Sequence, residues 1–356
     1  VTRKLEEVVR VLFPGYFAYV MATGIVAAAL AAFGFLPEAK ALFALGVAGY
    51  VVLWVLTIFR SVRFPRQLLA DFTSFTKGPG FFTIIAGTDV LGALSIRLFH
   101  ATDLAFALLC LGGTIWVVFN YSFATVVIVS AEKPTAERSV SGTWLVIVVA
   151  TQSLAVLSAL LSDRIPLFVA AGFFMIGAAT YLMLIALIVS RLVLTKVEAA
   201  DLAPPYWIMM GGAAISCLAG VSVDQHSGAW GFDVNAFPVL QAFTVFFWMV
   251  ATAWIPLLVI LGVWRHGFKH VPLRYEPQLW SMVFPLGMYT FATYSMSIQF
   301  KLPFLEPIAA FFLPIACLAW LWSFGGMARG IVRGLMAGDP MIQDLPQSTG
   351  PAPVEP

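Results

Sequence analysis

Gly80-Phe81-Phe82-Thr83-Ile84-Ile85-Ala86-Gly87-Thr88-Asp89-Val90-Leu91-Gly92-Ala93 opens on an aromatic anchor and turns at once to small residues. The same grammar opens four more apolar segments, at Gly15-Tyr16-Phe17, Gly142-Thr143-Trp144, Pro205-Tyr206-Trp207 and Gln278-Leu279-Trp280. The anchors Phe17, Phe82, Trp144, Trp207 and Trp280 are spaced by 65, 62, 63 and 73 residues. A period of that length is one helical hairpin, repeated five times.

Working outward, the whole chain suits a bilayer. Of its 356 residues 61% are hydrophobic and 11% charged, with mean hydropathy +0.93, whereas soluble domains carry about 25% charged residues. A crossing needs roughly 20 apolar residues. Ten stretches qualify, near 13–32, 39–59, 81–99, 104–129, 142–162, 165–190, 204–223, 236–263, 278–299 and 303–328. Arg3, Lys4 and Arg10 before the first run resemble a leader, but the spans that follow make it the first helix. The expected organisation is a transmembrane domain over 1–336 and a Pro-rich, polar, disordered cytoplasmic tail over 337–356.

Sixteen of the lysines and arginines fall on the side of the N-terminus and alternate loops, against Lys40, Arg97, Arg164 and Lys301 on the other. The positive-inside rule then places both termini in the cytoplasm of a multi-pass plasma (inner) membrane protein. Arg60, Arg191, Arg265 and Arg329 sit at the cytoplasmic edge of even spans. They read as snorkelling anchors, or as a ring that concentrates anions at the mouth. A nucleic-acid partner does not explain the asymmetry.

The odd spans concentrate Gly, Ala, Ser and Thr, and the even spans concentrate Phe and Trp. Small residues let any helices pack closely, but packing alone gives no reason to skip every second span. The fold expected is therefore all-α and integral to the membrane: ten helices as five hairpins in a quasi-fivefold arrangement, the odd helices lining a central pore. Thr23, Thr88, Thr151 and Thr290 are the candidate pore hydroxyls for a passing anion, with Gly211, Pro285 and Gly287 as hinge candidates.

Counting four residues past each anchor gives Met21, Ala86, Val148, Gly211 and Phe284. Only the fifth repeat puts a ring there, beside Pro285, which removes a backbone donor, and Gly287, which admits a neighbour. Phe284 reads as an apolar stopper in a narrow pore, or as one more buried phenylalanine among 31. Asp89 is the odd charge within a span, and three readings stand: proton-linked transport, pairing with Arg97, or a polar interhelical contact.

Leu279-Trp280-Ser281-Met282-Val283-Phe284-Pro285-Leu286-Gly287-Met288-Tyr289-Thr290-Phe291-Ala292-Thr293, with Pro14-Gly15-Tyr16-Phe17-Ala18-Tyr19-Val20-Met21-Ala22-Thr23-Gly24-Ile25, resembles the tellurite-resistance/dicarboxylate transporter family. That family includes fungal malate permeases, sulfite efflux pumps and slow-type plant anion channels. The resemblance covers about residues 10–330. It implies a quasi-fivefold ring of hairpins, a homotrimer with one pore per subunit, and a phenylalanine gate in the ninth helix, here Phe284.

The function expected is passage of small inorganic or organic anions through a gated pore. The alternative is a proton-coupled carrier of malate-like dicarboxylates, or an exporter of sulfite or tellurite. Membrane lipid is the other partner expected. No cofactor is expected. Cys110, Cys217 and Cys317 lack CxxC or His-rich context, and His226, Asp224 and Asp233 match no metal-ligand spacing. An integral-membrane enzyme would call for clustered acids, histidines or a nucleophile near one interface, which this sequence lacks.

Overall fold

Apart from two brief helices, Thr2–Arg10 and Pro65–Phe72, short and long helices alternate along the chain. The computed structural model describes residues 2–135, 140–236 and 238–337. The short ones are α1 (Ala18–Ala32), α3 (Thr83–Phe99), α5 (Val146–Leu160), α7 (Ile208–Gln225) and α9 (Trp280–Gln299). The long ones are α2 (Leu36–Arg63), α4 (Thr102–Val129), α6 (Leu167–Leu194), α8 (Pro238–Val263) and α10 (Glu306–Ala337). No strand occurs among the described residues. Ala337, the first residue of the expected tail, closes α10, and the rest of that tail lies outside the described residues, as does Arg138 of the basic loops.

The short helices form a closed inner ring. Each packs along the next, α1 on α3, α3 on α5, α5 on α7 and α7 on α9, and α9 returns to α1. Each long helix packs on its own hairpin partner and leans on the next inner helix, so that α2 touches α3, α4 touches α5, α6 touches α7, α8 touches α9 and α10 touches α1. Every inner seam is thus backed by an outer helix. Burial follows: 72–94% of the most apolar stretch is buried in the first four inner helices, against 17–33% in the outer ones. Exposed Val, Leu, Ile and Phe on the outer helices present the apolar belt that a bilayer requires.

Nine of the described helices have the length and apolarity to cross a membrane. The exception is α9, whose Ser281, Thr290, Thr293, Ser295, Ser297 and Gln299 dilute its hydropathy. It tolerates them because most of its residues are buried against protein rather than lipid.

A tight 3₁₀ turn precedes every inner helix: Pro14–Phe17, Gly78–Phe82, Gly142–Leu145, Pro204–Trp207 and Pro277–Leu279. Proline suits a first turn because its fixed φ is helical and its missing donor would be unsatisfied there anyway. The five turns abut one another in the same cyclic order as the helices. They meet backbone to backbone, since a Cβ on Gly80 would stand 3.2 Å from the Gly15 nitrogen, and one on Gly142 would collide with the Pro205 carbonyl.

Five aromatic side chains of the outer ring reach inward at corresponding positions. Tyr50 and Thr88 share a hydroxyl contact of 2.8 Å, Trp116 Nε1 donates to Thr151 Oγ1 at 2.8 Å, and Tyr181 donates to the Met209 carbonyl at 2.9 Å. Trp248 Nε1 donates to Thr293 Oγ1 and Trp320 Nε1 to Thr23 Oγ1, both at 3.0 Å. These five aromatic residues recur every 66, 65, 67 and 72 residues, each four residues after a small side chain: Gly46, Gly112, Gly177, Thr244 and Ala316. Four of the five bonds are buried and that of Tyr50 is part-buried; each satisfies a polar pair and fixes the inner helix's rotation.

Candidate functional site

One cavity is walled by all five inner helices. Its lining repeats at i, i+3: Ile25 and Ala28, Val90 and Ala93, Ser153 and Val156, Ile215 and Leu218, Met288 and Phe291. Residues three or four apart share a helix face, so these faces define the axis. One turn further toward the 3₁₀ turns, the same faces carry Met21, Ala86, Val149, Gly211 and Phe284, all buried. The cavity lining stops short of that layer. Its volume is about 30 Å³, room for one or two waters.

The third repeat corrects the register. The residue on the axial face is Val149 rather than Val148, because Ser153 and Val156 line the cavity and the 3₁₀ turn ends at Leu145. Trp144 is displaced from the anchor position, and its indole nitrogen donates to the Phe75 carbonyl at 2.9 Å.

Phe284 is fully buried and shares its face with Met288 and Phe291. Two hinge candidates meet beside it, since a Cβ on Gly211 would lie 2.7 Å from Pro285 Cγ. The glycine is what lets the proline of α9 seat against α7. Gly287 faces the other neighbour, where a Cβ would come within 3.0 Å of Ile25 on α1.

The four threonines do not line the cavity. Thr23, Thr88 and Thr151 lie two residues from their helix's axial positions, a rotation of about 200°, and their hydroxyls meet Trp320, Tyr50 and Trp116 of the outer ring. Thr290 stands two residues past Met288 and donates to the Leu286 carbonyl at 2.8 Å. The place of the first three is the seam between the rings.

Asp89 lines the cavity and is 1% exposed. Its Oδ2 accepts from Ser153 Oγ at 2.7 Å, and its Oδ1 has no hydrogen-bond partner. That free oxygen lies against Gly112 of α4, where any Cβ would collide with it. Arg97 lines the same cavity two turns further out, its guanidinium 4.9 Å from the Phe291 ring centroid and its side chain exposed. No ion pair joins Asp89 to Arg97 among the described residues. Pairing with Arg97 is one of three readings the sequence leaves open for Asp89, and none of them foresees Arg97 as a cation lining the same cavity.

The four edge arginines have unlike surroundings. Arg60 is buried, 2.5 Å from Asp71. Arg191 bonds the Tyr206 hydroxyl, Arg265 is buried, and Arg329 is exposed. All four belong to outer helices or, for Arg265, to the turn that ends one, and none lines the axial cavity. In the last turn of α7, Asp224 accepts from Gln241 and Gln299, at 2.9 and 2.7 Å, and just beyond the helix His226 Nδ1 meets the Ser222 carbonyl. Backbone and side-chain N–H groups of Asn235 hold the Asp233 carboxyl below the usual carboxylate range.

Comparison with known proteins agrees with this architecture. A family model described as a voltage-dependent anion channel matches residues 12–328. An uncharacterized membrane protein of Mycobacterium tuberculosis is 41% identical over 142 residues, 40% of this chain and 72% of the relative. An uncharacterized transporter of Methanocaldococcus jannaschii is 23% identical over 319 residues, 85% of this chain and 88% of the relative. A second uncharacterized transporter of that organism is 23% identical over 301 residues, 78% of this chain and 83% of the relative.

Proposed function

Because the chain belongs to the voltage-dependent anion channel family, matched over residues 12–328, we propose that small anions cross the membrane along the axis of its inner ring and that Phe284 stoppers the route. The observation that carries this reading is the axial face itself. Ten cavity-lining residues from five helices share it with Phe284, which is fully buried one turn beyond. A phenyl ring in a layer otherwise made of Met21, Ala86, Val149 and Gly211 leaves no wet passage, and an apolar constriction of that kind gates by dewetting.

Arg97 draws anions to the outer mouth, and the mostly apolar wall beyond it holds none tightly enough to trap them. We take the face of the 3₁₀ turns, with both termini, to be the cytoplasmic side of a plasma (inner) membrane, a reading supported by the basic excess in the loops on that side. Residues 1–336 act as one transport unit without a cofactor. The exposed apolar faces of the outer helices leave room for a homotrimer as well as for lipid.

The unpartnered oxygen of Asp89 favours a second reading, a proton-coupled carrier of malate-like dicarboxylates. Liposome flux separates the two. Chloride, nitrate, sulfite and malate are compared for the native chain and Phe284→Ala, with and without a proton gradient. Greater flux in the variant supports the stopper, and unchanged flux counts against it. Flux that follows the proton gradient and loses that dependence in Asp89→Asn supports the carrier.

A further inference from the structure

A second cavity lies away from the axis, on the basic face, where α8 ends and the turns before α7 and α9 meet. A single π-helical turn, Trp264–Phe268, ends the α8 segment, and such widened turns often re-aim a side chain at a functional site. Here the residue turned inward is Arg265, 91% buried by its 9% exposure. Among the described residues its Nε has no hydrogen-bond partner, and its Nη1 reaches the Ala200 carbonyl at 3.5 Å. Arg60, by contrast, has Asp71. No ion pair among the described residues includes Arg265. A buried guanidinium left in this state calls for a partner.

The cavity around it is amphipathic. Arg265, Arg274 and His266 stand on its polar side with one carboxylate, Glu276, and Leu258, Leu261 and Met282 form its apolar wall. The apolar wall continues the outer helix α8, whose Val259 and Ile260 are exposed, so the cavity sits where a hydrocarbon surface gives way to a basic one. Trp207 and Tyr206 also border it, as aromatic residues do at the depth of lipid headgroups.

We propose that this cavity binds the phosphate headgroup of an anionic phospholipid, with Arg265 and Arg274 on the phosphate and the first acyl carbons along Leu258 and Leu261. Charge selects the ligand class: two arginines against one carboxylate leave a net cationic site, and a guanidinium fork matches phosphate oxygens. The apolar wall selects lipid over free phosphate. Leu279 and Met282 also line the cavity, so an occupant rests on the opening of α9, two residues before Phe284 in the case of Met282. Lipid composition thereby reaches the helix that carries the proposed stopper, while binding itself does not depend on what the axis conducts.

The test is lipid binding read by native mass spectrometry on the full chain, after exchange into phosphatidylcholine alone or with phosphatidylglycerol. Phosphatidylglycerol is expected to be retained in preference. Arg274→Gln, an exposed residue whose loss leaves folding intact, should weaken retention about tenfold, the size of one charge-assisted contact, and Arg265→Gln at least as much. Glu276→Gln should strengthen it. Equal retention of both lipids, or a preference that neither arginine variant changes, overturns the proposal. Displacement of phosphatidylglycerol by millimolar inorganic phosphate would also overturn it, by assigning the site to free phosphate.

Discussion

Trp320 in the last helix donates its indole N–H to Thr23 in the first, at 3.0 Å, across 297 residues of chain. It is the fifth of the equivalent bonds and the one that joins the two ends of the ring. The other four link neighbours in sequence, so this contact has the largest loop-closure entropy to overcome.

Trp320→Phe should therefore destabilise the protein by about 1–3 kcal/mol, since Thr23 keeps a buried hydroxyl without its donor. Thr23→Val should cost a similar amount, and the double variant less than the sum, because the two act on one bond. Thermal unfolding in detergent of the two single variants and the double variant measures this.

Phe284→Ala and Phe291→Ala remove rings from the same face of α9, two turns apart. Only the first lies in the layer beyond the cavity. Anion flux into liposomes should rise several-fold in Phe284→Ala and change little in Phe291→Ala. Equal increases would mean that widening anywhere on the axis suffices.

Gly112→Ala should strike Asp89 Oδ1 and cost about 1–3 kcal/mol, the usual penalty for overpacking. Adding Asp89→Ala removes the struck atom, so the double variant should recover stability lost in Gly112→Ala. A lack of recovery would place the damage in α4 rather than at the carboxylate.

Arg97→Gln should lower anion flux several-fold at low ionic strength and less at high, because a mouth charge acts by raising local anion concentration and is screened by salt. Stability should hold, since the guanidinium makes no ion pair among the described residues. Flux measured at two salt concentrations tests it.

The closed ring was legible because its cause is compositional. Helices shielded from lipid can carry Gly, Ser and Thr, and helices facing lipid cannot afford many, so slim and bulky spans alternate. Rotation about each helix was harder to read. Small residues occur all round an inner helix, since one side meets the axis and the other side meets an outer helix. Thr23, Thr88 and Thr151 were placed on the wrong side for that reason, although a fixed offset of two residues from Met21, Ala86 and Val149 would have turned them outward.

The anchor of the third repeat was missed by one residue because Trp144 is the conspicuous aromatic there, while the residue that ends the 3₁₀ turn is Leu145. The five inward bonds left a usable trace in Tyr50, Trp116, Tyr181, Trp248 and Trp320. Their mixture of tyrosine and tryptophan hid the period from a search for one residue type. The cavity holding Arg265 left none, because it is assembled from segments some 60 residues apart and depends on one widened turn.

The abutting turns around Gly15, Gly80 and Gly142 carry a last implication. Main chain touching main chain is stiff, so that rim cannot dilate like an iris without parting its staves. Any widening of the route near it falls to torsions within individual residues, which are quick and small, and conduction should begin without the slow, large-amplitude rearrangement that alternating-access machines require.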